Sequence, residues 1–161
     1  MDAAELSSAV AEVIRDHAGQ EGPLLPILHD VMHRFGWIAP EAVVLIARAL
    51  NLSRAEVHGV ISYYPHFRTT PARGPVLQLC EAESCLACGA AELRARVLGR
   101  PDHEALEVET VYCLGLCAQS PAVMLDGRAH ARLTPQRLDR LIDGALRGAT
   151  AESSDKAGEA R

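Results

Sequence analysis

The residues with the clearest chemical potential are cysteines. The 161-residue chain has five: Cys80, Cys85, Cys88, Cys113 and Cys117. Cys80-Glu-Ala-Glu-Ser-Cys85 is a C-x4-C loop and Cys113-Leu-Gly-Leu-Cys117 a C-x3-C loop. Each follows a stretch that reads as a β-strand, so two neighbouring parallel strands would deliver both loops to one edge of a sheet. A [2Fe-2S] cluster takes two thiolates per iron, and short loops of this kind supply such pairs. The candidate ligands are therefore Cys80, Cys85, Cys113 and Cys117. Ser84, Gly89 and Gly115 are expected to let backbone amides approach the sulfurs, where hydrogen bonds tune a metal centre. A helix beginning near Cys85 would add its positive end.

Competing chemistries fit less of the pattern. Structural zinc favours C-x2-C knuckles in both halves of its site. Cys85-Leu-Ala-Cys88 is a C-x2-C dithiol near a strand-to-helix junction, but a thioredoxin-type reading leaves Cys80, Cys113 and Cys117 unexplained. Buried thiols packing as small hydrophobes would account for one cysteine, hardly for four in two glycine-bearing loops. The nearest rival is plant-type ferredoxin spacing, Cys80-x4-Cys85-x2-Cys88 followed by Cys117, which would recruit Cys88 and release Cys113. The helical character of the preceding region argues against it, and Cys88 is read as the spare, packed against the sheet. None of the seven histidines lies in a cysteine loop, which weakens a Rieske-type centre; His29 and His33, one helical turn apart, read as a surface rather than a metal site. Neither G-x-G-x-x-G nor a P-loop is present, nor a nucleophile elbow, so the chain has no evident catalytic residue or substrate site of its own.

The elements that must position these residues fall into three regions. Residues 1–73 read as a helical domain. Leu6, Val10, Val13, Ile14 and His17 recur at helical spacing. A second apolar stretch runs from Pro23 to Gly36, a third starts at Pro40-Glu41, and Ser53 with Glu56 forms a capping box for a fourth. Tyr63, Tyr64, Pro65 and Phe67 follow as an aromatic cluster. Residues 74–147 alternate strand, helix, strand, strand, strand, helix. The strands are 76–80, 106–112, 122–125 and 129–133, with a turn at Asp126-Gly127-Arg128. The helices are 90–98 and one capped by Thr134-Pro135. This is an α/β order, a helical bundle followed by a thioredoxin-like domain. Residues 148–161 are small and polar, and are expected to form a disordered tail.

Composition removes other classes. Apolar residues make up 48% and the net charge is −5, so the chain can build a core but has no basic excess for nucleic acid. No apolar run reaches a membrane-spanning length, so no membrane insertion is expected. The acidic start lacks a signal-peptide pattern. A cytoplasmic location follows as an expectation, and in that reducing compartment cysteines serve metals or redox chemistry rather than disulfides.

Cys80 to Gly89, CEAESCLACG, and Tyr112 to Gly127, YCLGLCAQSPAVMLDG, resemble the thioredoxin-like [2Fe-2S] ferredoxin family, that of the 24-kilodalton subunit of respiratory NADH dehydrogenase. The upstream segment FGWIAPEAVVLIARALNLSRAEVHGVISYYPHF resembles its N-terminal bundle, extending the match over about residues 20–147. Within the family, CEAESC and YCLGLCAQSPAVMLDG are most similar to the gamma subunit of cytosolic NAD-dependent, molybdenum-containing formate dehydrogenases. Members from the respiratory complex and from NAD-reducing hydrogenases are the near alternatives. The stretch between Cys85 and Cys113 is shorter than the respiratory pattern. The resemblance implies one [2Fe-2S] cluster on Cys80, Cys85, Cys113 and Cys117. It also implies an electron-transfer role beside a neighbouring subunit that binds FMN and NAD, and a further large subunit with a molybdenum cofactor that oxidises formate. The alternative of another class is a stand-alone dithiol oxidoreductase or zinc-binding module.

Overall fold

The computed structural model describes residues 3–158, with side chains over 4–149. The chain forms two compact units, Met1–Ala72 and Arg73–Arg161.

The first unit holds α1 (Ala3–Asp16), α2 (Leu24–Phe35), α3 (Pro40–Ala49) and α4 (Arg54–Tyr63). Each helix carries the stop or start signal its sequence announces. Gly36 ends α2 with φ 75°, a left-handed conformation that costs glycine nothing. Pro40 opens α3 at the first helical position. Ser53 accepts a hydrogen bond from the Glu56 N–H and Glu56 accepts one from the Ser53 N–H, a reciprocal cap that contributes about 1 kcal/mol. The apolar stripes converge on a core that includes Val10, Ile27, Leu28, Val31, Val43, Ile46 and Val57. Phe67 closes it, with Tyr64 edge-on to its ring at 5.9 Å.

His17, just past α1, ties that end of the helix to α2. One ring nitrogen lies 2.7 Å from Asp30 Oδ2 and the other 3.0 Å from Gln20 Oε1. Both partners are acceptors, so only the imidazolium, with two N–H groups, satisfies both. The Asp30 hydrogen bond foremost, then that of Gln20, raises the His17 pKa above its ordinary 6.5. The folded value exceeds the unfolded one, so the pair stabilises fully below about pH 6.5 and loses its contribution as pH rises through the folded value. The urea midpoint of this unit, followed by fluorescence of Trp37, the chain's single tryptophan, is expected to fall between about pH 5.5 and about pH 8.5 more in the native chain than in His17→Gln. Identical pH dependence in the two would rule out this contribution.

The second unit is a four-stranded mixed sheet in the order β2-β1-β3-β4. The strands are β1 (Val76–Cys80), β2 (Glu107–Val111), β3 (Val123–Leu125) and β4 (Arg128–His130). β1 and β2 are parallel, joined through α5 (Glu83–Ala87) and α6 (Ala90–Leu98); β3 is antiparallel to both β1 and β4. The α/β class expected from the sequence is the one observed. The hairpin turn is tighter than expected, with Asp126 and Gly127 alone in the loop, both at positive φ, as a two-residue connection requires. Leu77 and Leu79 point to one face, where they cluster with Leu93 and Val97 of α6 and with Leu138 and Ile142 of α7 (Pro135–Gly158). Thr134 caps α7 by accepting from the Arg137 N–H. Arg100 adds polar ties to this helix through Asp139 and Asp143. Gly74 enters β1 so close to the neighbouring backbone that an added Cβ would lie 2.1 Å from the Ala105 carbonyl oxygen.

The expectation of a disordered tail over 148–161 is corrected. α7 runs without a break to Gly158, and residues 159–161 lie outside those described. Lack of an apolar pattern does not prevent a helix from propagating out of a packed segment, because the nucleation cost has already been met. Ala149, Ala151, Glu152, Lys156 and Ala157 are strong helix formers.

Candidate metal centre

The parallel register places Cys80, the last residue of β1, opposite Val111, the last residue of β2. Both strands therefore end at one sheet edge and both cysteine loops start there. The Glu81 N–H donates to the Val111 carbonyl at 2.9 Å and the Cys80 N–H to the Ala122 carbonyl at 3.3 Å, fixing the loop bases side by side. Cys80 and Cys85 are buried, at 3% and 2% exposure, among Ala90, Ala122, Val111, Leu114 and Leu116. Cys113 and Cys117 are exposed. Their sulfurs lie 3.5 Å apart, and the Cys85 thiol is among the groups that lower the Cys80 thiol.

Backbone geometry serves the sulfurs. Cys113 has φ 86°, a conformation that costs a non-glycine residue about 1–2 kcal/mol. The Ala82 N–H, and after it the Cys85 thiol and the N–H groups of Cys113 and Leu114, favour the thiolate form of Cys80. Gly115, at φ 74°, turns its N–H onto Cys113 Sγ at 3.4 Å. Burial alone would push the Cys80 thiol up, but these donors and Cys85 outweigh it and hold the group below its ordinary value. Cys117 is shifted up, first by its hydrogen bond with Cys113, then by repulsion from the Cys113 and Cys85 sulfurs. Apposed thiols resist ionising together, and a cation between them removes that conflict.

Three sequence expectations change. Gly89 brings no amide to a sulfur: its N–H bonds the Leu86 carbonyl and its φ of 92° makes the turn from α5 to α6. Ser84 acts through its hydroxyl, which donates to the Cys117 carbonyl at 3.1 Å, not through its amide. Cys88 is exposed rather than packed on the sheet, because α5 stops at Ala87 and the chain turns away at Gly89. One functional side chain carries no cysteine-like signal in the sequence. Ser120 Oγ lies 3.4 Å from Cys85 Sγ and 2.9 Å from Ser84 Oγ. His29, considered as a metal ligand, stacks against His66 and Phe67.

The donor set can be tested against two kinds of centre. Among the described residues, no group of three or more His, Cys, Asp or Glu side chains is gathered to hold a single metal ion. Mononuclear zinc needs four donors around one point. Thiols in two pairs suit two irons with two thiolates each. Comparison with known proteins agrees. The thioredoxin-like [2Fe-2S] ferredoxin pattern matches residues 10–146. The chain belongs to that family.

This ferredoxin-family chain is 31% identical to NADH-quinone oxidoreductase subunit 2 of Thermus thermophilus, over 88% of this chain and 83% of that protein. It is 24% identical to the NADP-reducing hydrogenase subunit HndA of Solidesulfovibrio fructosivorans, covering 83% and 82% respectively. The crystal structure of an NAD+-reducing [NiFe]-hydrogenase in the air-oxidised state superposes with a TM-score of 0.64 at 27% identity. That match covers 78% of this chain but only 23% of the hydrogenase chain, so the ferredoxin-like part is one portion of a longer polypeptide there. Membership of the family makes a [2Fe-2S] cluster the cofactor of this chain.

Proposed function

We propose that this chain is the electron-transfer subunit of an NAD-linked oxidoreductase complex, holding one [2Fe-2S] cluster on Cys80, Cys85, Cys113 and Cys117 in the domain formed by residues 74–147. The observation that carries the reading is that two cysteine loops start at the shared end of two parallel strands, with Cys80 and Cys85 buried in one apolar cluster and the Cys113 and Cys117 sulfurs 3.5 Å apart. When bound, the cluster accepts and returns one electron at a time. The chain's own residues bind it and set its surroundings. Cys80 and Cys85 anchor it on the buried side. Cys113 and Cys117, on the exposed loop, leave it close to the surface for exchange with a partner. The N–H groups of Ala82, Cys113, Leu114 and Gly115 neutralise sulfur charge.

The partner is a subunit that binds FMN and NAD, in keeping with the NADH-quinone oxidoreductase and NADP-reducing hydrogenase named among the relatives. The parent activity is NAD-dependent formate oxidation, giving carbon dioxide and NADH, with a molybdenum-containing large subunit. The strings CEAESC and YCLGLCAQSPAVMLDG support that assignment. A cytoplasmic location belongs to this proposal. Among the described residues no helix is long and apolar enough to cross a membrane.

Anaerobically purified protein is expected to be red-brown, to contain iron and acid-labile sulfide in equal amounts, and to give an electron paramagnetic resonance signal after dithionite reduction. A colourless protein with stoichiometric zinc refutes the cluster. Co-purified molybdenum supports the formate complex; a nickel–iron subunit or membrane subunits redirect the parent assignment while leaving the cluster reading intact.

A further inference from the structure

We propose that Ser120, held by Ser84, donates a hydrogen bond to the Cys85 sulfur and thereby raises the reduction potential of the cluster. The inference rests on the reading of Cys85 as a ligand. Ser120 Oγ is 3.4 Å from Cys85 Sγ, 2.9 Å from Ser84 Oγ and 3.0 Å from the Cys117 carbonyl oxygen. Ser84 Oγ also reaches that carbonyl, at 3.1 Å. Two hydroxyl protons thus serve three kinds of acceptor.

The protonation state of Cys85 decides who donates. A free thiol has a proton of its own. An iron-bound thiolate has none, so across the 3.4 Å contact the serine is the only possible donor. Were Ser120 to turn its proton to the Cys117 carbonyl instead, its lone pairs would face a negatively charged sulfur. Ser84 removes the need for that orientation, because its own proton can satisfy the carbonyl or pass to Ser120 Oγ. In the second arrangement Ser84 to Ser120 to sulfur is a relay whose links strengthen one another. Both arrangements put the Ser120 proton on Cys85. Ser120 and Ser84 are half-buried, and Cys85 is nearly fully so, so solvent screens the contact weakly.

The consequence is directional. A donor to a ligand sulfur stabilises whichever redox form carries more negative charge, and one-electron reduction adds one charge at constant proton count. The reduced form therefore gains more from Ser120 than the oxidised form does. This contact is additional to the backbone N–H groups, which converge on Cys80 and Cys113. Ser120 adds a side-chain donor to Cys85, which packs with Cys80, Ala90 and Ala122.

The test is a mediated dithionite titration of the full chain, read by visible absorbance and electron paramagnetic resonance. In Ser120→Ala the ratio of reduced to oxidised cluster at fixed potential is expected to fall about threefold to tenfold, tenfold being 59 mV for a one-electron couple. Ser120→Thr keeps the hydroxyl and is expected to stay near the native value. Ser84→Ala is expected to shift in the same direction by less. In the reduced protein, an exchangeable-proton hyperfine coupling is expected in native and Ser120→Thr chains and to be lost in Ser120→Ala. A Ser120→Ala chain that loads normally and keeps the native potential overturns the proposal, as does a Ser120→Thr shift as large as that of alanine. If Ser120→Ala fails to load, the Ser84→Ala potential decides: lowered supports the relay, unchanged refutes it. Failure of the ligand reading is separately visible, because Cys85→Ser would then retain native absorbance.

Discussion

Cys113→Ser and Cys117→Ser chains are expected to purify without the visible absorbance of the cluster and with most of the iron lost, while their helical unit stays folded. Each substitution takes one of the two thiolates that an iron requires, and the loop cannot recruit a replacement. Cys88 is exposed at the end of α5, just before the turn at Gly89. Cys88→Ser is accordingly expected to keep full absorbance. The Cys113 and Cys117 sulfurs lie 3.5 Å apart and Cys117 is raised by its neighbours, so a cation at this loop is expected to favour the Cys117 thiolate and to couple metal binding to loop order. The helical unit contains no cysteine and has its own core around Val10, Ile27 and Ile46. Far-ultraviolet circular dichroism and Trp37 fluorescence should thus match the native chain in all three variants. Intact cluster absorption in both Cys113→Ser and Cys117→Ser would contradict the ligand set, and loss in Cys88→Ser alone would restore the plant-type spacing.

The second large effect lies in α7. Ile142 and Leu138 are fully buried against Leu77, Leu79 and α6. Ile142→Ala removes apolar volume from a site flanked by β-strand and helix, neither of which can collapse into the gap, and is expected to destabilise the second unit by about 3–4 kcal/mol. Ile142→Val, which deletes a single methylene, is expected to cost about 1 kcal/mol. Two probes separate the units: loss of cluster absorbance on urea titration reports the second unit, and Trp37 fluorescence the first. The absorbance midpoint should fall steeply in Ile142→Ala while the Trp37 midpoint stays in place. A shift of both midpoints by equal amounts would show that the two units unfold as one.

Much of this architecture is legible because its signals are local. Helical spacing from Leu6 to His17, Gly36 as a stop, Pro40 as a start and the Ser53–Glu56 box all act within a turn or two of chain, where propensity and capping decide the outcome. The turn at Asp126-Gly127 is of the same kind. The sequence is a poorer guide where a residue's role depends on something distant. Cys88 sits in an apolar-looking string, yet its exposure follows from where α5 ends. The polar stretch after Gly148 lacks an apolar stripe, yet it continues α7, because a packed helix upstream has already met the cost of starting.

The candidate site divides along the same line. By itself the sequence determined the residue types, the C-x4-C and C-x3-C spacings and the strands that precede them, and so the class of chemistry, because two thiolates on a short loop are a local property. Only the tertiary structure decided that β1 and β2 end together. It alone let the Cys113 and Leu114 N–H groups lower the Cys80 thiol from 33 residues and more away along the chain, and set Ser120 beside Cys85, 35 residues apart. Those contacts depend on strand register and on a left-handed backbone at Cys113, which packing imposes against local preference.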